Sequence, residues 1–520
     1  MTTVSLISST VRKMQVGVLI LLNGCMAGPN YRPAVPAVAP TYVSQATLSA
    51  RSTGQPTPPL NAWWTGFDDP ELVRIIGRVL EQNLDLSAAL ARVAQARAVA
   101  REAGARELPE AHLDGTVDAL RQSLNSPIGS VARALPGYER DQTLRDVDAG
   151  ASWEIDLFGG LRRGAEAAGA EAQAAEALKD GVRISVAAEA ADAYFRFRGF
   201  QARIALTQAQ IDTDHNLLDL VHQRQVDGVA TDLEAAQAQA LLSHARGALP
   251  PLRNELTLQS NRLDVLMGAA PGTYAAELQA ASADYAVPAI DTGDGPAELL
   301  RQRPDVIAAE RRLAASNALI GVAMAEYYPK VSLTALLGFE SLNGAALFNS
   351  ASFQPEAVGG LRWRLFDFGR VDAEVAQAKG ANVEALAEYR QSMLRATEDV
   401  ENAVVQLIQL EAQYGELQDE VSANVRARGA AQQQYVAGVV SLLEVLDADR
   451  QLLSSRDALA QVHADDARAA VEAFRALGGG WTPAKVQAAS RGGGSLVLET
   501  SPNLSDEVLQ VVGVGTGIAP

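Results

Sequence analysis

The sequence predicts a mainly α-helical, internally duplicated chain that also contributes four β-strands to a membrane β-barrel. Three observations predict this fold class. The sequence repeats itself at an offset of 210 to 220 residues, each repeat contains two runs of alternating apolar and polar residues, and each run pair is followed by two long helical stretches. With 520 residues, the chain is long enough to bury a sizeable core or to build very elongated elements.

Composition excludes several classes of protein. Lys and Arg number 44 against 62 Asp and Glu, and the net charge of −18 argues against a broad electrostatic interaction with nucleic acid. The single cysteine excludes a disulfide framework and a cysteine-based metal centre. No segment reaches the roughly 20 consecutive apolar residues of a transmembrane helix, so a chain of this kind that crosses a bilayer does so with strands.

The amino terminus is typical of an exported lipoprotein. A basic pair at 12–13 precedes an apolar run at 14–22 and then Gly24 and Cys25. We therefore predict that residues 1–24 are a lipoprotein signal peptide and that Cys25 carries a covalent N-acyl and diacylglycerol lipid. A free or buried thiol is the alternative interpretation of Cys25.

The residues after the cysteine are predicted to form a linker, either ordered or mobile. Met26 is not the aspartate that typically retains lipoproteins at the inner membrane, which favours the outer membrane. The segment 25–62 is rich in Pro, Ala, Ser and Thr without helical or strand periodicity, so we predict a lipidated linker.

Three anchors in the same order define the repeat. We assign residues 63–290 to the first repeat, 291–480 to the second and 481–520 to a C-terminal tail. The anchors pair Asn83-Leu84-Asp85-Leu86 with Arg303-Pro304-Asp305-Val306, Trp153 and Phe158-Gly159 with Trp363 and Phe368-Gly369, and Val226-Asp227-Gly228-Val229 with Val436-Ala437-Gly438-Val439.

Each repeat contains a predicted hairpin of two strands. In the first repeat, apolar and polar residues alternate after Pro109 and again before Gly159. In the second repeat they alternate after Pro329 and then up to Leu365. The runs have about the 10-residue length of a membrane strand, although alternation alone also fits an ordinary β-sandwich.

The flanking helices favour the membrane interpretation. From Gly159 to Gly228 the sequence is rich in Ala, Gln, Glu and Arg, and a continuous helix of that length would extend roughly 100 Å at about 1.5 Å per residue. The second repeat has the same interval from Gly369 to Gly438. Return helices are predicted from Thr231 to Met267 and from Ser441 to Leu477, and shorter helices at 85–108 and 305–328 precede the strands.

Four membrane strands cannot close a barrel alone. They leave two unpaired edges, which lipid does not tolerate, and the smallest bacterial barrels need about eight strands. The chain is therefore expected to share its barrel with other copies, and a dimer, a trimer and a tetramer all satisfy this argument.

These residues together resemble the outer membrane factor family, the TolC-like outer membrane efflux lipoproteins of tripartite, RND-type systems, in the NodT branch. The resemblance implies a homotrimer with a shared 12-stranded barrel, long helical hairpins forming a periplasmic α-barrel, no resident cofactor besides the lipid, and as partners a periplasmic adaptor (membrane fusion) protein and an RND-type inner membrane pump. It rests on Cys25, Trp63-Trp64 with Phe67 and Asp69-Pro70, Asn83 to Leu86, Trp153 to Gly159, Arg303 to Val306, Phe366 to Gly369 and Leu446-Asp447-Ala448.

A periplasmic aperture is predicted near the start of the last helix. Glu444, Asp447 and Arg450 are three residues apart and share roughly one helix face, where we expect Arg450 to bridge an acid on its own or a neighbouring subunit. The resemblance implies that Tyr435, Glu444 and Asp447, with Glu234 in the first repeat, line the aperture. An ordinary solvated helix face is the alternative.

The two helix hairpins are predicted to end in tips. Gly228 and Gly438 are each predicted to end a helix, and Thr231 and Ser441 are predicted to cap the helices that follow. The resemblance implies that the adaptor docks on these tips, which comprise Gly228, Val229, Thr231, Gly438, Val439 and Ser441.

The resulting functional prediction is a duct that carries small molecules, such as drugs, toxic organics or metal ions, to the outside. An enzyme is not expected, because the chain has no phosphate-binding loop and its five histidines lack ligand spacing. Two alternatives stay open, namely the exit duct of a type I protein secretion system and a non-transporting coiled-coil structural lipoprotein.

Overall fold

The structure is a computed structural model that describes residues 26–33, 41–44, 57–280, 285–290, 295–296, 300 and 302–481. Cys25 and the tail after Trp481 lie outside these residues. The described residues divide into two compact units, each made of three segments. Those within 1–35, 93–175 and 308–389 form the first, and those within 36–92, 176–307 and 390–520 form the second.

The four long helices and the two helices that precede the hairpins occur where the sequence predicts them. A short 3₁₀ segment at Leu60–Phe67 precedes α1, and the described helices of both units are α1 (Pro70–Gln82), α2 (Leu84–Ala105), α3 (Pro127–Ala132), α4 (Gly160–Val226), α5 (Asp232–Leu266), α6 (Ala275–Ala280), α7 (Pro304–Ala325), α8 (Arg370–Val436) and α9 (Leu442–Ala476). The long helices α4 and α8 contain 67 residues each, and α5 and α9 contain 35 each. None of the described helices is both long and apolar enough to span a bilayer.

The first unit contains one antiparallel sheet of four strands in the order β1-β2-β3-β4. The strands are β1 (Glu110–Arg121), β2 (Asp141–Ile155), β3 (Lys330–Ser341) and β4 (Phe353–Arg362). The prediction that the fourth run extends to Leu365 is wrong by three residues. Arg362 pairs with Lys330, the first residue of β3, so no partner strand is available beyond Arg362.

The two hairpins have the same register, which confirms the repeat. Glu110 pairs with Ser152 in the first hairpin, and Lys330 pairs with Arg362 in the second. Lys330 lies 220 residues after Glu110, and Arg362 lies 210 residues after Ser152, which are the offsets that the sequence anchors show. The tryptophans agree as well, because each indole Nε1 donates at 2.9 Å to a carbonyl at the end of the preceding helix segment, from Trp153 to Glu107 and from Trp363 to Tyr327.

The sheet has one apolar and one polar face, as the alternation predicts. Leu113, Ala149, Leu337 and Pro355 are partners across all four strands and form one apolar row. Leu113 is 75% exposed and Leu337 is 56% exposed. The residues that precede and follow these four along each strand point to the opposite face, where the strands carry many carboxylates.

The second unit has an aromatic core. Trp63 is fully buried and stacks on Phe474 of α9 with ring centroids 5.5 Å apart, while Phe67 packs on Phe195 of α4 at 4.8 Å. These contacts join the 3₁₀ segment to the middle of α4 and the end of α9. The tryptophan motif of the sequence therefore serves packing.

Candidate functional site

Both predicted tips are tight turns that end a long helix. Gly228 and Gly438 each have φ of +72°, and the amide of the next residue returns to the helix, from Val229 to the Arg224 carbonyl at 2.8 Å and from Val439 to the Gln434 carbonyl at 2.9 Å. An added Cβ on either glycine would meet nothing within 4 Å. Glycine is therefore favoured here by the left-handed backbone and not by crowding.

The residues that follow the tips make different hydrogen bonds at the starts of the two return helices. Thr231 and Glu234 form a capping box at α5, in which the Glu234 amide donates to the Thr231 hydroxyl at 3.3 Å and the Thr231 amide donates to the Glu234 carboxylate at 2.7 Å. At α9, Ser441 stands at the N-cap position, but its side chain makes no capping hydrogen bond with a helix amide. Its hydroxyl donates instead to the Glu444 carboxylate. This hydrogen bond holds the pKa of Glu444 below its ordinary value.

Each tip exposes three apolar side chains, at matched positions of the repeat. Sequence reasoning named only Val229 and Val439. The sequence also indicates a further apolar residue at each tip, because Leu233 and Leu443 stand two residues after Thr231 and Ser441. The exposed fractions are 82% for Val226, 63% for Val229, 66% for Leu233, 63% for Val436, 72% for Val439 and 63% for Leu443.

A contact between the two repeats joins the helix ends near the tips. The Arg224 guanidinium lies over the Tyr435 ring, 4.5 Å from its centroid, and Nη1 donates to the Tyr435 carbonyl at 3.3 Å. Tyr435 is only 3% exposed, and burial raises its pKa. Its hydroxyl has no hydrogen-bond partner among the described residues. Sequence reasoning missed Arg224, since nothing in its local spacing distinguishes it from other helix-surface arginines.

The three residues predicted to share the aperture face are not all joined to one another. Arg450 Nη2 lies 2.6 Å from Asp447 Oδ1, and Gln451 donates to the other Asp447 oxygen at 2.8 Å. The Asp447 and Arg450 side chains are 47% and 75% exposed. Glu444 instead bonds to Ser441, so the bridge within one chain involves Asp447. The role of this face in an aperture stays a prediction.

A buried polar cluster lies deeper in the same helical bundle. Asp214 of α4 is 1% exposed and accepts a hydrogen bond from Gln210 at 2.6 Å, while Asp449 of α9 is 2% exposed and pairs with Arg428 of α8 at 2.8 Å. Oδ2 of each aspartate has no partner among the described residues. Burial raises the pKa of Asp214 to about 6, with a further contribution from Asp449, against the opposing effects of Gln210, Arg428 and His244.

The Asp214→Asn substitution is expected to stabilise the protein near neutral pH. The pKa of Asp214 in the folded state lies above its unfolded value of about 3.9, so the folded state binds more protons and stability falls as pH rises from about 4 to about 6. Asparagine stays neutral, so the melting temperature of the variant should exceed that of the parent at about pH 7.5 and approach it at about pH 4.5. Circular dichroism melts test this, with the exposed Asp212→Asn as control, and a parallel shift at both pH values would contradict it.

The chain matches known outer membrane proteins over most of its length. The family model described as "outer membrane efflux protein" matches residues 75–269 and 295–479. The pyoverdine export outer membrane protein OpmQ of Pseudomonas putida is 33% identical over 449 residues, which cover 86% of this chain and 94% of that protein. The solvent efflux pump outer membrane protein SrpC of Pseudomonas putida is 31% identical and covers 89% and 97%.

A solved structure agrees with these sequence matches. The outer-membrane channel OprN superposes with a TM-score of 0.78 at 32% identity, covering 88% of this chain and 100% of that one. The duplicated helices, the four-stranded sheet and the matched residues therefore identify the chain as a member of the outer membrane efflux protein family.

Proposed function

We propose that the chain is the outer membrane channel of a tripartite efflux pump, a homotrimeric duct that carries small molecules outward. The observation that carries this proposal is the open four-stranded sheet, with its exposed apolar face, in a chain that also contains two 67-residue helices. The chain lies in the outer membrane with its helical part in the periplasm. Its activity is transport and not catalysis.

The edges of the sheet support the sharing of a barrel. Within the described chain, β1 and β4 pair on one side only. Such edges must be paired in lipid, because every backbone polar group there needs a partner inside the protein. Three subunits of four strands would close a 12-stranded barrel, and the 12 residues of β1 match the length of a membrane strand.

The tips support docking of a periplasmic adaptor, which would receive substrate from an RND-type inner membrane pump. Six exposed apolar side chains are concentrated at the two helix ends, and such concentrations mark surfaces that contact other proteins. We further propose that the lipid attached at Cys25 anchors the chain on the inner side of the outer membrane.

A susceptibility assay in the native host tests the proposed function. Deletion of the gene should lower the minimal inhibitory concentration of pump substrates by about fourfold or more, and the parent gene should restore it. If the chain instead serves protein secretion, the deletion strain should lose a protein substrate from its culture medium while its drug susceptibility stays unchanged. That result would refute the efflux proposal.

The Arg450→Glu substitution is expected to widen the proposed aperture. In a trimer, the Glu444, Asp447 and Arg450 face would bring six carboxylates and three guanidinium groups near one axis. The substitution would remove the guanidinium partner of each Asp447 and add further negative charge beside it. We expect about twofold or greater single-channel conductance in planar bilayers and a stronger preference for cations. The control is Arg450→Lys, which keeps the charge. Unchanged conductance and ion selectivity in Arg450→Glu would show that this face is not the constriction.

A further inference from the structure

The segment that follows the predicted lipid site is bound to the first unit. We call residues 26–33 the N-terminal strap. The Ala27 amide donates to the Phe158 carbonyl at 2.9 Å, three residues after the end of β2. Further along the strap, the Tyr31 hydroxyl donates to Glu310 of α7 at 2.6 Å. The strap is therefore held at two places, although it forms no helix or strand.

A buried arginine forms the centre of the binding site for the strap. Arg163 of α4 is only 1% exposed. Its Nε donates to the Ala27 carbonyl at 3.1 Å, and its Nη2 donates to Asn30 Oδ1 at 2.7 Å and to the Gly28 carbonyl at 3.4 Å. Glu166 balances the charge at 2.7 Å. Burial of a guanidinium is unfavourable unless its donors are used, and here the strap uses most of them.

Three glycines let the strap approach the protein closely. Gly28 has φ of +84°, and an added Cβ would lie 2.5 Å from the Gly321 Cα. A Cβ on Gly321 would lie 2.8 Å from the Ala27 carbonyl oxygen, and one on Gly159 would lie 2.4 Å from the Met26 Cγ. Larger residues at these positions would displace the strap, so the glycines are part of the same site.

The second repeat shows that this site is not a requirement of the fold. The start of α8 has the same helical hydrogen bond as the start of α4, from residue 373 to Gly369. However, Ala373 stands where the first repeat has Arg163, and a Cβ on Gly369 would meet nothing within 4 Å. The counterpart of Gly321 is Arg101. The arginine and the glycine therefore occur only where a strap is bound.

We propose that this site is a positioning device that places the acyl chains of Cys25 beside the end of β2, with Arg163 as the positioning residue. The inference rests on the lipid attachment proposed above. Cys25 is two residues from Ala27, and two residues span at most about 7 Å. A lipid on Cys25 would then enter the membrane next to the end of β2 and not at the end of a freely moving tether.

Photoreactive acyl chains test this proposal in the full-length protein. Cells are fed a diazirine fatty acid that is incorporated into lipoproteins, and the crosslinks are mapped after purification of the irradiated protein. In the parent, they should concentrate in the tryptic peptide 146–162, which contains the end of β2. Arg163→Ala removes the donors, and Gly28→Val changes only the strap, so the second variant avoids any folding defect of the first. Both should lose about fivefold or more of these crosslinks, because a loose tether dilutes the chains over a larger volume.

Two controls separate the possible failures. The exposed Arg101→Ala should retain the parental crosslinks, and intact mass should show acylated Cys25 in every variant. The proposal is overturned if acylated parent and Gly28→Val give the same dispersed crosslinks. It is also overturned if Cys25 is unmodified in the parent, an outcome that leaves the efflux function untouched, because drug susceptibility is measured separately.

Discussion

A disulfide between neighbouring subunits is expected to form in the Ala119→Cys, Ala357→Cys variant, giving covalent dimers and trimers on non-reducing gels. The pair follows from the repeat. Val147 of β2 pairs with Phe339 of β3, which joins the second strand of the first hairpin to the first strand of the second hairpin. We expect β4 to pair with β1 of the next subunit in the same way. The offsets of 210 and 220 residues that relate the two hairpins then place position 357 of β4 opposite position 119 of β1.

The geometry favours oxidation of this pair. Directly opposed residues of antiparallel strands have Cα atoms about 4.5 to 5.5 Å apart, within the range that a disulfide bridges. Each single variant should remain monomeric on the gel. The intrachain pair Ala151→Cys, Ala335→Cys should oxidise without forming multimers, because these residues already face each other.

A register control makes the test sharper. In the Leu120→Cys, Ala357→Cys variant, the first cysteine moves by one residue and points to the other face of the sheet. It should crosslink at least about tenfold less. Multimers from this variant but not from the pair at positions 119 and 357 would contradict the register. An absence of multimers from both would contradict the sharing of the sheet.

The paired substitution Val229→Glu, Val439→Glu is expected to abolish efflux while leaving the trimer intact. Each valine is mostly exposed in the chain, and burial of such a side chain at an interface contributes about 1.5 kcal/mol or more. Replacing both with carboxylates, which resist desolvation, should weaken adaptor binding by about 100-fold or more. Drug susceptibility should equal that of the gene deletion.

The measurement combines susceptibility with photocrosslinking to the adaptor from a tip residue. The control variant, Val229→Ile with Val439→Ile, keeps an apolar surface and should retain efflux. The subunit disulfide described above reports that the trimer still assembles. Unchanged adaptor crosslinking in the glutamate variant would show that the tips are not the docking surface.

The fold was predictable because its signals are local or repeated. Gly228 and Gly438 mark helix ends that depend only on the neighbouring backbone, and each is followed by a Thr or Ser at the N-cap position of the next helix. Alternation identifies strands within about ten residues, and the duplication checks each assignment independently. The error at the end of β4 arose because strand ends are decided by the partner strand, which starts at Lys330.

Only the tertiary structure decided which side chains meet. The resemblance implies that Tyr435 lines an aperture, and only the folded chain shows that its ring is buried under Arg224, which is 211 residues away in sequence. Asp214 of α4 and Asp449 of α9 likewise share one buried cluster although they are distant in sequence. Helical periodicity predicts that a residue faces the bundle, but not which residue of another helix it contacts.

The N-terminal strap shows the same division most clearly. Composition alone indicated a linker, because residues 26–33 have neither helical nor strand periodicity. Arg163 reads in sequence as one more charged residue in a helix, and only the folded chain brings it to Ala27 and Asn30, more than 130 residues earlier. The sequence thus determined the elements and their repetition, which depend on local periodicity. The contacts that distinguish one repeat from the other depend on packing between distant segments.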